Sequence, residues 1–185
     1  MDVEFPEGDA IYTTLEKTYR TTKDIMYKAN DVIDKLPDYE KQYILKGEPV
    51  INRPNSINIE AKDSEEEIVK SIANKIEEYL ALGFKSIAII GKDIDECKFI
   101  KKKIEKYNKN VKLIQSKDSE YNAGISIVPS YLAKGLEFDS VMLFNVNDDK
   151  YQNTVLDIKL LYVAITRAMS KLDVFYTGKI SELMK

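Results

Sequence analysis

The sequence contains no histidine, no tryptophan and only one cysteine, Cys97. Without histidine there is no imidazole general base or metal ligand, so a serine–histidine catalytic triad is excluded. One cysteine excludes an internal disulfide and a cysteine-rich zinc site, and it is typical of a reducing compartment. No hydrophobic run approaches the ~18 residues of a membrane span, and no signal-peptide pattern opens the chain. We therefore expect a cytoplasmic location and no membrane partner.

Arginine is scarce too. Among 28 basic residues there are only three arginines, Arg20, Arg53 and Arg167, and the rest are lysines. A guanidinium group is always charged and binds phosphate or carboxylate through two parallel hydrogen bonds, which lysine cannot do. The net charge of −3 does not indicate a globally basic nucleic-acid-binding protein, but it leaves room for a local basic groove.

The 185 residues, 44% hydrophobic and 32% charged, suit one soluble domain. Short apolar runs alternate with helical patterns, which predicts an α/β fold with a mostly parallel sheet. Residues 1–10 are predicted to be a flexible segment and residues 11–185 a single domain. The predicted strands cover 11–16, 57–61, 86–90, 111–114, 125–128, 140–146 and 172–177. The predicted helices cover 21–36, 63–82, 94–107 and 155–169, and the Lys-rich one is 94–107.

Ligands of parallel sheets usually bind at the carboxyl ends of the strands. The loops after 12–16, 125–128 and 140–146 are therefore candidates for a site. The first candidate motif, TYRTT, holds Tyr19 and Arg20 at a predicted strand-to-helix junction. Free backbone N–H groups at a helix start, with an arginine beside them, suit an anion such as phosphate. The alternative is an ordinary surface turn.

The second candidate motif is AKGLEFD, residues 133–139. Gly135 permits close backbone approach or a positive φ angle, and Lys134 and Glu137 flank it. This pattern resembles a phosphate cradle, although the chain contains no GxxxxGK[ST] loop. The alternative is a capped turn with a local ion pair.

The third candidate motif is LLYVAITRA, residues 160–168, predicted as an apolar helix with Arg167 near its carboxyl end. An arginine there either compensates the helix dipole or binds an anionic partner. The three motifs, in this order, resemble motifs IV, V and VI of superfamily 1 helicases of the UvrD/Rep type. The sequence of the second motif and the residues before it, VPSYLAKGLEFD, is most similar to the HelD-like branch, which acts on RNA polymerase.

The resemblance covers about residues 11–178 and implies a RecA-like three-layer fold. Motors of this family hold ATP between two RecA-like domains, and this chain resembles the second. By resemblance, Tyr19 stacks on adenine, and Arg20 and Arg167 are catalytic arginine fingers at the γ-phosphate. Glu137 contacts the ribose, and Lys134 with Gly135 forms the turn beside the nucleotide. No residue is assigned to a metal.

The resemblance also implies that nucleic acid contacts Ser130 and Tyr131. Many relatives carry histidine where this chain has Tyr131, and a tyrosine can still stack on a base. UvrD-type helicases insert a large domain between motifs IVa and V. Here only about 35 residues separate the strand at 86–90 from Ile125, so no such domain fits. Its absence favours the HelD-like branch.

The sequence has no Walker A loop and no clear Walker B strand. ATP with Mg²⁺ is therefore expected to bind jointly with a missing first RecA-like domain, and the isolated chain is expected to be inactive. Further expected partners are single-stranded or duplex DNA and, through the HelD-like wording, RNA polymerase. One alternative is a stand-alone, non-catalytic module that binds a protein such as RNA polymerase. Another is an α/β domain for a different small molecule.

Overall fold

The computed structural model describes residues 17–41, 46, 48–116 and 123–185, and for residues 17–20 it describes the backbone only. The strand predicted at 11–16 and the segment 1–10 lie outside the described residues. The strands are β1 (Lys17–Thr22), β2 (Glu48–Ile51), β3 (Ile57–Lys62), β4 (Ser86–Gly91), β5 (Val111–Leu113), β6 (Gly124–Pro129), β7 (Phe138–Leu143) and β8 (Ala168–Thr177). The helices are α1 (Lys23–Ile33), α2 (Asp38–Lys41), α3 (Glu65–Ala81), α4 (Ile94–Ile104) and α5 (Val155–Ile165).

Six strands form one sheet in the order β3-β8-β7-β4-β6-β5, and every neighbouring pair is parallel. The prediction of an α/β fold with a parallel sheet is confirmed. Strands β1 and β2 form a separate parallel pair. No helix within the described ranges is long and apolar enough to span a membrane.

Helices cover both faces of the sheet and create three layers. One core contains the buried side of α1 and α5, including Ile25, Ala29, Leu161 and Ile165. The other contains the buried side of α3 and α4, including Ile72 and Ile100. These side chains recur at the three- and four-residue spacing that places them on one helix face. The layers hold both ends of the strands at fixed positions relative to the helix ends.

Local capping sets most helix boundaries. Ser64 accepts a hydrogen bond from the Glu67 N–H and begins α3, and Asp93 accepts from Asp95 and Glu96 and begins α4. Thr22 occupies the corresponding position of α1, but its side chain makes no capping hydrogen bond. Thr22 is thus a cap by position only.

Helix α5 ends earlier than the sequence pattern predicts. It stops at Ile165 and not at residue 169, and β8 begins at Ala168. The amide of Phe138 donates to the Arg167 carbonyl at 3.0 Å, so pairing with β7 replaces the helical hydrogen bonds. Arg167 therefore lies in the short link between α5 and β8, and not on the helix.

Residues 130–137, which we call the crossover, connect β6 to β7. Both strands are parallel neighbours of β4, so the crossover runs from the carboxyl end of the sheet to its amino end. It begins with a 3₁₀ turn at Ser130–Leu132 and packs beside α5. The crossover carries every residue of the second sequence motif up to Glu137.

Candidate nucleotide half-site and nucleic-acid groove

A cavity of about 200 Å³ lies where the first turn of α1 meets the amino ends of β7 and β8. All three sequence motifs contribute to its lining, together with two methionines outside them, and the lining residues are Thr21, Met26, Glu137, Tyr162, Thr166, Arg167 and Met169. The structure thus brings Glu137 and Arg167 together beside a helix start. The general rule pointed to the carboxyl ends of the strands, and this cavity is at the opposite end.

Hydrogen bonds to Val163, Leu136 and Thr166 help to hold the Arg167 side chain. Its Nε donates to the Val163 carbonyl, one terminal nitrogen donates to the Leu136 carbonyl and the other donates to Thr166 Oγ1, each at 3.1 Å. The bond to Val163 satisfies a carbonyl at the end of α5, as the helix-dipole interpretation predicted. The same bonds fix the plane of the guanidinium group at the cavity wall and join it to the crossover.

The crossover reaches this cavity through a tight turn. Gly135 has a φ of +85°, and the amide of Leu136 donates to the Ala133 carbonyl at 3.1 Å. Glu137 follows the turn, is half-buried and lines the cavity. Lys134 is exposed, and neither it nor Gly135 is among the lining residues of this cavity.

The start of α1 gives the cavity an electropositive side. Because Thr22 makes no capping bond, its side chain leaves the first N–H groups of α1 to other acceptors. Met26 of that helix and Thr21 before it both line the cavity. The side chains of Tyr19 and Arg20, which precede this point on β1, lie outside the described residues, and their roles remain predictions.

Ser130 and Tyr131 lie at the other end of the crossover. Ser130 is 0% exposed, and its hydroxyl donates to the Lys92 carbonyl at 2.7 Å, so its side chain stabilises the loop after β4. Tyr131 is 49% exposed and lines a groove of about 350 Å³ at the carboxyl ends of β4, β5 and β6. We call it the Tyr131 groove; its other lining residues are Ile94, Lys98, Gln115, Ser116 and Leu132.

The carboxyl ends of β4 and β7 carry an ion-pair network that the sequence patterns did not indicate. Lys150 pairs with Glu65 at 2.8 Å and with the nearly buried Glu96. Burial raises the pKa of Glu96, and Lys150 opposes that shift. Nearby, Lys92 pairs with Asp157 of α5 at 2.7 Å. Only the Asn- and Asp-rich composition of residues 147–153 hinted at a polar cluster.

The single cysteine takes no part in either site. Cys97 is 0% exposed on the core side of α4, and burial raises the pKa of its thiol to about 12. A thiol with so high a pKa holds almost no nucleophilic thiolate near neutral pH. Cys97 therefore serves as a small core residue.

Comparison with known proteins agrees with the motifs. Residues 92–179 match the family described as the UvrD-like helicase C-terminal domain. The C-terminal domain of a possible DNA helicase from Lactobacillus plantarum WCFS1 aligns at 27% identity and a TM-score of 0.68, over 90% of this chain and 92% of that one.

A second solved structure, UvsW of T4, aligns over 75% of this chain and 36% of its own length, at 14% identity and a TM-score of 0.36. That similarity is too low to carry an argument. A search of curated proteins gave no match. The matched segment contains the crossover, Glu137 and Arg167. Residues 92–179 of this chain are thus similar to UvrD-like helicase C-terminal domains.

Proposed function

We propose that the chain is the second motor domain of an ATP-dependent DNA helicase or translocase. The observation that carries the proposal is the cavity in which Arg167, Glu137 and the start of α1 meet. A guanidinium and a helix N-terminus attract the same ligand, an anion such as a phosphate. The remaining half of the ATP site, including the groups that hold Mg²⁺, comes from a first RecA-like domain.

In this proposal Arg167 acts as an arginine finger. Negative charge develops on the transferring γ-phosphoryl group, and a positioned guanidinium stabilises it. When the two domains close, the bond from Nε to Val163 keeps the side chain oriented. The terminal nitrogens then exchange the Leu136 carbonyl and Thr166 hydroxyl for phosphate oxygens. Arg20 is the second finger, Tyr19 stacks on the adenine, and Lys134 with Gly135 borders the nucleotide.

Glu137 would bind the ribose hydroxyls, because a carboxylate accepts two hydrogen bonds and repels a misplaced phosphate. Nucleic acid would lie across the Tyr131 groove, with a base stacked on the tyrosine ring. We extend the proposal to a HelD-like motor with RNA polymerase as a partner in the cytoplasm. Two observations support that extension. They are the sequence motif VPSYLAKGLEFD and the short segment between residue 90 and Ile125, which leaves no room for an inserted domain.

The test is Arg167→Ala in a polypeptide that joins this chain to a first RecA-like domain. We expect kcat for ATP hydrolysis to fall by about 10³-fold or more, with little change in KM, since a finger acts mainly in the transition state. Arg53→Ala is the matched control, because Arg53 donates to Ser170 Oγ at 2.8 Å and does not line the cavity.

Equal turnover in the Arg167 and Arg53 variants would contradict the finger assignment. The chain alone should show no ATP hydrolysis above background in the same assay. If no first RecA-like domain can be found that restores turnover, the non-catalytic protein-binding module becomes the better interpretation.

A further inference from the structure

The strongest local charge of the molecule lies away from the ATP half-site. Between Lys98 and Lys112 the sequence has seven lysines and one acidic residue, Glu105, in a chain whose net charge is −3. This segment covers most of α4 and the turn that leads to β5. A cationic surface on an otherwise acidic protein points to an anionic partner at that place.

The fold sorts these lysines onto one side of α4. Cys97, Ile100 and Ile104 face the core. Lys98 and Lys102 are exposed on the outer side, and Lys106 continues the four-residue spacing just past the helix end. Lys109 is exposed in the following turn. We call these four residues the lysine face.

The ammonium groups of the lysine face are available to a ligand. Within the described ranges, Lys102, Lys106 and Lys109 form no ion pair. Lys98 pairs with Asp95 at 2.9 Å, but both side chains are largely exposed, and exposed pairs of this kind exchange partners at little cost. Lys103, which lies beside the lysine face on the same helix, is not available in this way, because it pairs with Glu66 at 2.6 Å.

The lysine face continues directly from the Tyr131 groove, because Lys98 belongs to both. Two exposed aromatic rings accompany the lysines, Tyr131 at 49% exposure and Tyr107 at 54%. Interleaved cations and exposed rings are what a single strand of nucleic acid needs, with phosphates on the former and bases on the latter. An acidic protein segment could pair with the lysines, but only a nucleic acid supplies a base to stack on each ring along with each phosphate.

We propose that the lysine face binds the phosphate backbone of a nucleic-acid strand that leaves the Tyr131 groove along α4. This inference rests on the nucleic-acid part of the proposed function and adds an exit path to it. From Lys98 to Lys106 the chain advances about 12 Å along the helix axis, which is about the axial length of three or four nucleotides whose bases are stacked as in a duplex, at ~3.4 Å each.

The experiment measures binding of the 185-residue chain to a fluorescent oligothymidylate of about 20 nucleotides by anisotropy, at about 50 to 200 mM salt. The test variant is the triple substitution Lys98→Gln, Lys102→Gln and Lys106→Gln, which keeps helix propensity. The control is Lys41→Gln, Lys46→Gln and Lys185→Gln. It removes the same charge from exposed lysines that pair weakly with Asp38, Asp34 and Glu182.

We expect the test variant to bind at least tenfold more weakly than the control at the lowest salt. Its slope of log K against log salt should be shallower by about 2, at ~0.7 for each lost phosphate contact. Tyr131→Ala should weaken binding without changing that slope, because stacking releases no counterions.

Equal affinities and slopes in the two triple variants would overturn the proposal, as would undetectable binding by the unmodified chain at the lowest salt. Tighter binding of a fluorescent polyglutamate peptide of equal charge would assign the face to acidic proteins instead. The assay uses neither ATP nor a first domain. A negative result in this binding assay therefore does not contradict the role of Arg167. A negative result in the Arg167 assay likewise does not contradict binding by the lysine face.

Discussion

The two ends of the central sheet solve the problem of exposed strand termini differently. At the carboxyl ends of β4 and β7, charged side chains from α3, α4 and α5 fill the space with their own ion pairs. At the amino ends of β7 and β8, backbone carbonyls hold Arg167, and a cavity stays open beside it. Within the described residues, the end that parallel sheets usually offer to ligands is closed by ion pairs at β4 and β7 and open at the Tyr131 groove, and the opposite end carries the proposed half-site.

The difference has an electrostatic reason. Lys150 lies between two carboxylates, Glu65 and Glu96, so its positive charge is directed to partners within the fold. Arg167 donates the three hydrogen bonds described above to oxygens of the α5 end and the crossover, and these bonds place its guanidinium group at the cavity wall.

The largest change in stability is expected from Lys150→Met. This substitution removes the cation at the carboxyl ends of β4 and β7, which we call the closed end. Glu96 would be left nearly buried without its partner, at a cost of about 3 kcal/mol in the free energy of unfolding at neutral pH. Urea denaturation measures the change. Lys98→Met, which breaks the exposed pair with Asp95, is the control and should leave the midpoint nearly unchanged.

The pH dependence of that variant follows from the raised pKa of Glu96. A buried carboxyl with a raised folded-state pKa binds more protons in the folded state than in the unfolded state. Stability therefore falls as the pH rises from 4.5, the ordinary pKa of a glutamate, to the raised pKa of Glu96 in the folded state. Lys150→Met should lose stability over this window more steeply than the unmodified chain, and a pH-independent loss would mean that Glu96 finds another cation.

Gly135→Ala tests the open end with a smaller effect. Gly135 has a φ of +85°, and a Cβ added there meets nothing within 4 Å, so the penalty comes from the backbone alone. We expect a loss of about 1 to 2 kcal/mol in the free energy of unfolding. If the turn shifts instead of straining, the Leu136 carbonyl moves away from Arg167 and the loss is smaller.

A crystal structure of the Gly135→Ala variant distinguishes the two outcomes by the distance from Arg167 to the Leu136 carbonyl. Gly83→Ala is its control, because Gly83 has the same φ of +85° and also meets nothing within 4 Å, but ends α3 far from the cavity. Equal losses in both variants would indicate that strain alone is measured at Gly135.

The smallest effect is expected from Asp139→Asn, which loosens the amino ends of β4 and β7. Burial alone would raise the pKa of Asp139, but the N–H groups of Ser86 and Lys85 donate to it and hold the pKa below 3.8. The carboxylate therefore stabilises the fold at neutral pH, and this contribution disappears as pH falls through the lowered pKa.

For Asp139→Asn we expect a loss of about 1 kcal/mol at neutral pH, discounted because the group is partly exposed. The difference from the unmodified chain should vanish in acid. Thermal unfolding at a series of pH values measures both, and a constant difference across the series would contradict the assignment.

The fold was predictable because its signals are local. The apolar runs at 86–90, 125–128 and 140–146 and the period of α3 each specify an element within a few residues. The motifs also pointed to Glu137 and Arg167, which the fold brings to one cavity. The end of α5 was not predictable, because Ala168 leaves the helix only to pair with Phe138, which is 30 positions earlier in the chain.

The closed end was not predictable for the same reason. Lys150 is 85 positions from Glu65 and 54 positions from Glu96 in the sequence. Hydrophobic periodicity does not predict ion pairs between residues so far apart. The sequence also suggested that Ser130 contacts nucleic acid, but its side chain is buried and donates to the Lys92 carbonyl. Spacing along the chain identifies a motif, whereas only the fold decides which of its side chains remain exposed.

The crossover also has a mechanical property, because it consists largely of two consecutive hydrogen-bonded turns. The amide of Ala133 donates to the Ser130 carbonyl at 3.2 Å, and the amide of Leu136 donates to the Ala133 carbonyl at 3.1 Å. While both bonds hold, the segment from Tyr131 to Leu136 moves as one stiff unit. A displacement of Tyr131 is then transmitted to the Leu136 carbonyl, which accepts a hydrogen bond from Arg167.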